Sequence, residues 1–136
     1  MHLFPYLSFN GNCQEALTFY AELFNGSVES FIPWQADLIA DIPEATTEHI
    51  MHGSISINDV TLAGSDQFGD MYSPGGNVSI MIDIDDLAKA KATFDALADG
   101  GQIFMPFGEM FFADGYGFCA DRFGIMWQVN STGSKA

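Results

Sequence analysis

The sequence predicts an α+β fold built from two βαβββ modules, and three observations carry that reading. A strand, a polar cap, an amphipathic helix, a glycine stop and a second strand occur twice. The two copies keep a constant offset: Leu7 matches Ile82, Phe19 matches Phe94, Gly26 matches Gly101 and Val28 matches Ile103, each 75 residues apart. Each copy is followed by a pair of short alternating stretches separated by turn residues. An offset of this length is too coarse for a solenoid and suits two supersecondary modules, the first spanning about 1–67 and the second about 76–131, within one domain covering 1–136.

In the first module, Leu3 to Phe9 alternates as a strand. Asn12 stands where a helix cap belongs, with Glu15 three residues on to complete a capping box. Ala16, Leu17, Tyr20, Leu23 and Phe24 then mark one helical face until Gly26 stops it. Ser27 to Pro33 reads as the second strand. Trp34 to Glu48 follows neither period, carries Pro43, and reads as an excursion with a short helix. Strands follow at Ile50 to Ile57 and Val60 to Ser65, joined by the hairpin turn Asn58-Asp59. Asp66 to Gly76 connects the halves. The second module has a strand at Val78 to Ile84 and a helix after Asp85 or Asp86, with Leu87, Ala90, Phe94 and Leu97 facing inward. A strand from about Gln102 precedes the last pair, Tyr116 to Ala120 and Ile125 to Asn130, which turn through Asp121 to Gly124.

Composition narrows the function. At 136 residues and 48% apolar, the chain can bury a sizeable core. Four basic residues face eighteen acidic ones, for a formal net charge of −14. Phosphate backbones and anionic membrane surfaces draw their ligands through clustered Lys and Arg, so neither nucleic acid nor membrane is expected as a partner. No apolar run approaches the roughly 20 residues of a membrane span. The N-terminus lacks a charged region ahead of an apolar one, so a cytoplasmic location is the default expectation. Cys13 and Cys119 form neither a disulfide framework nor a C-x-x-C pair.

The doubled βαβββ order, the opening PYLSFNGNCQEALTFYAELFNG and the ending FADGYGFCADRFGIMWQV together resemble the vicinal oxygen chelate superfamily of glyoxalase, bleomycin-resistance and extradiol dioxygenase proteins. Within it the chain is similar to the PhnB-like branch, sometimes labelled 3-demethylubiquinone methyltransferase-like. The likeness covers roughly Leu3 to Val129. It implies modules whose curved sheets line a cleft for a small molecule, commonly in a homodimer. No glycine-rich loop follows a strand in the way a nucleotide cofactor site requires, so the methyltransferase label finds no support in the residues and no cofactor is expected.

Metal-using members of the superfamily draw His and Glu ligands from inward positions on the first and last strands of their modules. Carried over position by position, the first-strand histidine would fall within Phe4 to Tyr6, where there is none. The opening strand of the second module offers Ser79, and the final strand offers Gln128 where a Glu would stand. Neutral side chains hold a dication poorly, which implies loss of the usual metal site. A register shifted by one or two residues would instead bring His2, His52, Asp66 or Glu109 into a different site, and a metal-dependent lyase, isomerase or dioxygenase is the alternative reading.

Other candidates each have two readings. His52, alternating with Ser54 and Ser56, is either a base facing the cleft or a hydrogen-bonded cavity or surface residue. Glu109, amid Phe107, Met110, Phe111 and Phe112, is either a desolvated general acid or base or an exposed strand residue. Tyr6, Trp34, Phe111, Tyr116 and Trp127 supply aromatic surface for a planar or apolar ligand, while any one of them could equally be core. Asp114 reads as a turn former. Cys13, at a helix start where the dipole lowers a thiol's pKa, has no base beside it in sequence and reads as a packed, unreactive thiol. The function expected is binding of a small organic molecule through Ser79, Gln128, His52, Glu109 and these aromatics.

Overall fold

The computed structural model describes all residues 1–136. Its first unit, Met1–Ser73, runs β1 (Tyr6–Phe9), α1 (Cys13–Leu23), β2 (Ser27–Pro33), α2 (Ala36–Ile39), β3 (Ile50–Ile57) and β4 (Val60–Asp66). The second, Pro74–Ala136, runs β5 (Ile80–Asp83), α3 (Leu87–Ala98), β6 (Gln102–Met110), β7 (Ala113–Ala120) and β8 (Met126–Ser131). Each unit is one four-stranded mixed sheet, ordered β1-β4-β3-β2 and β5-β8-β7-β6, with a parallel pair at one edge and antiparallel neighbours elsewhere. Both are βαβββ, with the brief α2 added to the first. The α+β class holds, as two open sheets of four strands each.

The same packing device repeats in both units. The helix lies against one sheet face, and the central strands turn glycine toward it. A Cβ at Gly53 would stand 2.8 Å from the Phe31 ring and 3.0 Å from Leu17, and one at Gly117 would stand 2.5 Å from the Phe94 ring. Side chains alternate across a strand, so His52, Ser54, Tyr116 and Phe118 point to the face away from the helix. On the helix face, Leu17, Tyr20, Phe9 and Ile55 fill the first core; Phe94, Leu97, Trp127 and Val129 fill the second.

The conserved 75-residue offset has a steric cause. After each helix the chain turns through a left-handed residue, Asn25 (φ 55) or Gly100 (φ 76). The next residue then crosses a strand backbone at close range: a Cβ would meet the Ser56 carbonyl oxygen at 2.3 Å from Gly26, or the Ala120 carbonyl oxygen at 2.0 Å from Gly101. Gly26 is therefore required by this approach, and Asn25 supplies the left-handed turn that the sequence reading gave to glycine. The Gly26 amide closes the helix end on the Ala21 carbonyl at 2.8 Å.

Helix starts differ between the units. Asp86 caps α3 as expected, accepting from the Lys89 amide at 2.9 Å. Asn12 makes no side-chain cap hydrogen bond. The Cys13 amide instead donates to Asp66 Oδ1 at 2.9 Å, and the Ile50 amide donates to Asp66 Oδ2 at 2.8 Å, so one buried carboxylate ties α1 to the start of β3. Asp121 plays a comparable part in the second unit, accepting from the Phe123 and Ile125 amides and from Trp127 Nε1 at 2.8–3.0 Å. The expected Asn58-Asp59 hairpin forms, with φ 47 and 68. The strands expected from Leu3 and Val78 begin later, at Tyr6 and Ile80, because regular pairing to β4 and β8 starts only there.

Both thiols are fully buried. Burial, reinforced by the Asp66 carboxylate, pushes Cys13 up to about 12, and burial with Asp121 pushes Cys119 up to about 11. Any helix-dipole effect on Cys13 is overridden, and the packed reading of this thiol stands.

Two outcomes follow from this packing. Gly101→Ala forces a methyl group into backbone and should destabilise the fold by about 1–3 kcal/mol, whereas Gly75→Ala, with nothing within 4 Å, should leave the melting temperature unchanged; equal effects in thermal denaturation would contradict the steric account. The thiols should resist a disulfide-exchange reagent at neutral pH until the protein unfolds. Because the folded pKa of Cys13 is raised from 9.0, its contribution to stability is complete below pH 9 and is lost as pH climbs toward 12; Cys13→Ala should flatten that alkaline decline.

Candidate functional site

On the second sheet's open face, β5 and β8 pair Met81 with Gln128 and Asp83 with Asn130, while β7 places Phe118 opposite Gln128 and Tyr116 opposite Asn130. The Tyr116 hydroxyl donates to Gln128 Oε1, and Gln128 Nε2 donates to Ser79 Oγ at 2.8 Å. All three residues are half-buried. Phenylalanines flank them: Phe104 packs on Phe118 with centroids 5.1 Å apart, and Phe112 meets Tyr116 edge-on at 5.2 Å. One step along the strands, Asn130 Nδ2 donates to Asp83 Oδ1 and Thr132 Oγ1, each at 3.1 Å.

The first sheet presents a simpler polar pair on the corresponding face. The Tyr6 hydroxyl and His52 Nδ1 lie 3.0 Å apart, and the rings stack at 5.6 Å. The strand register makes His52 the counterpart of Tyr116, since each precedes the glycine packed on its helix. Ser65 lies on the same face as Tyr6 and accepts from Gln67 Nε2 at 2.7 Å. At the place of Gln128 stands Ala63, paired with Tyr6.

The structure therefore brings Ser79, Tyr116 and Gln128 together, and separately Tyr6 and His52. Other expected site residues lie elsewhere. Trp127 is 2% exposed on the helix face with its indole bound to Asp121, so it belongs to the core. Trp34 follows β2 and meets Phe68 with ring centroids 6.1 Å apart; Phe68 also packs on His49. Phe111 is 92% exposed at the β6–β7 turn, touching Phe112.

Glu109 is not desolvated by its phenylalanine neighbours. Its side chain is 73% exposed and pairs with Lys135 Nζ at 3.0 Å. Asp114 lies within β7 rather than in a turn and holds the C-terminal residues, accepting from the Ser134 amide at 2.9 Å and hydroxyl at 2.7 Å. Those bonds hold its carboxyl below the usual carboxylate range. Sequence reasoning did not pick out Phe112, Phe118, Asp83 or Asn130. The signal was present in GYGF: glycines toward the helix leave the alternate aromatics on the open face.

At the two positions that the resemblance assigns to metal ligands the side chains are neutral. Gln128 offers an amide whose oxygen and nitrogen are both engaged by neutral hydroxyls, and Ser79 offers a hydroxyl. No three His, Cys, Asp or Glu side chains gather closely enough to hold an ion. No helix is long and apolar enough to cross a membrane.

Comparison with known proteins agrees with this architecture. Residues 1–130 match the family described as 3-demethylubiquinone-9 3-methyltransferase. Protein YjdN of Escherichia coli K12 is 33% identical, over 96% of this chain and 95% of its own. The crystal structure of protein PA1353 from Pseudomonas aeruginosa is 36% identical with a TM-score of 0.81, covering 98% of this chain and 99% of that one. Fosfomycin resistance protein FosX from Mesorhizobium loti shares the fold at 12% identity and a TM-score of 0.62, covering 96% of this chain and 90% of that one. The chain belongs to the 3-demethylubiquinone-9 3-methyltransferase-like, PhnB-like family of the vicinal oxygen chelate superfamily.

Proposed function

We propose that this protein binds a small organic molecule on the open face of its second sheet, without the superfamily's usual metal. The observation that carries this reading is the Tyr116–Gln128–Ser79 chain, in which Ser79 and Gln128, the positions that the resemblance assigns to metal ligands, are neutral and mutually bonded. A dication there would have to break both hydrogen bonds and would gain no carboxylate in return. The chain offers instead fixed polar atoms among Phe104, Phe112 and Phe118, the mixture of apolar lining and a few oriented hydrogen-bonding groups found in ligand sites. Tyr6 and His52 form a separate polar pair on the open face of the first sheet.

A cytoplasmic homodimer completes the proposal. Ile103, Met105 and Phe111, exposed on and beside the edge strand β6, are apolar surface that a second copy would cover.

Elemental analysis tests the central reading. The purified protein should carry substoichiometric Zn, Mn, Fe and Ni, and a chelator should leave its melting temperature unmoved. A stoichiometric ion whose removal lowers the melting temperature would overturn it. Light scattering after size exclusion should report twice the chain's 14.8 kDa, and Met105→Glu should shift the species toward monomer; a monomeric wild type would refute the dimer.

A further inference from the structure

We infer that the ligand of the second sheet is an uncharged planar molecule that presents a carbonyl oxygen to the Ser79 hydroxyl. The inference rests on the binding reading above and deepens it. Hydrogen bonds along this chain run in one direction, from the Tyr116 hydroxyl to Gln128 Oε1 and from Gln128 Nε2 to Ser79 Oγ. One proton of each group is used inward, which leaves the Ser79 hydroxyl proton and the second Nε2 proton of Gln128 to donate outward. Donors in sequence polarise one another, which makes that terminal hydroxyl a better donor than an isolated serine. The complementary ligand atom is an acceptor.

Charge selects among acceptors. No unbound cation of the second unit stands on this face to receive a carboxylate or a phosphate. Lys89 and Lys91 lie on α3, packed on the opposite face; Arg122 lies over the Phe123 ring at 4.3 Å; Lys135 is bound to Glu109 and the Met110 carbonyl. Asp114, two residues from Tyr116, is tied to Ser134, and the other carboxylate on this face is that of Asp83, paired across from Asn130. An anionic ligand would meet that carboxylate and a net charge of −14, so the acceptor must be neutral. Phe118 lies opposite Gln128 with Phe104 against it, and this pair offers a ring face on which a planar group can stack beside Ser79.

Three ring fragments of similar size separate the possibilities: benzamide with a neutral carbonyl, benzoate with a charged one, and toluene, neutral and with no acceptor. Titrations followed by NMR should show benzamide shifting the resonances of Ser79, Tyr116 and Phe118, with benzoate and toluene each several-fold weaker. Ser79→Ala should weaken benzamide roughly three- to tenfold, the loss of one net hydrogen bond, while the protein stays folded with a melting temperature lower by at most a few degrees. Benzoate or toluene binding as tightly as benzamide, or benzamide binding indifferent to Ser79→Ala, would overturn the carbonyl assignment and leave the binding reading standing. If no fragment perturbs these residues, the binding reading of this face falls with it.

Discussion

The organisation of each unit depends on a close contact between a helix and the glycines of the central strand. Gly53 under Leu17 and Gly117 under Phe94 have no room for a side chain on the helix side, so the helix seats flush on the sheet and buries its apolar stripe. The consequence reaches the opposite face. With strand alternation fixed by these contacts, every other residue of β3 and β7 is committed to the open side, and a one-residue slip would drive His52 or Tyr116 into the core. Packing on one face thus specifies the polar composition of the other.

Polar satisfaction does the complementary work inside. Asp66 and Asp121 are each almost fully buried and each spends its oxygens on backbone amides or the Trp127 indole. A buried carboxylate is tolerated where such donors surround it. Burial, reinforced by these carboxylates, suppresses ionisation of the neighbouring thiols, so the cysteines contribute volume to the cores.

Local patterns made the architecture readable, because its determinants are short-range. β2 and β3 fall on their expected residues, and the Gly26–Gly101 correspondence reflects one steric demand met twice. Long-range partners were not readable. Asn12 has the right type and place for a cap, yet its side chain makes no cap bond, and the helix start is held through the Cys13 amide by Asp66, more than fifty residues on. Trp127 and Glu109 show the same limit: which face of a strand is wet depends on the helix packed against it, and GYGF reveals that face only when both glycines are read as contact points. Ser79 and Gln128 emerged from family resemblance, whereas their direct bond and the Tyr116 hydroxyl on Gln128 required the β5–β8 and β7–β8 pairings.

The proposed role turns on whether the Gln128 carboxamide is held as a fixed element of the sheet. Hydrogen exchange of its side-chain amide protons, followed by NMR, measures this most directly. The account predicts that the Nε2 proton donated to Ser79 is protected well beyond those of an exposed glutamine, with protection lost in Ser79→Ala. Exchange as fast as that of a freely rotating side chain would contradict it.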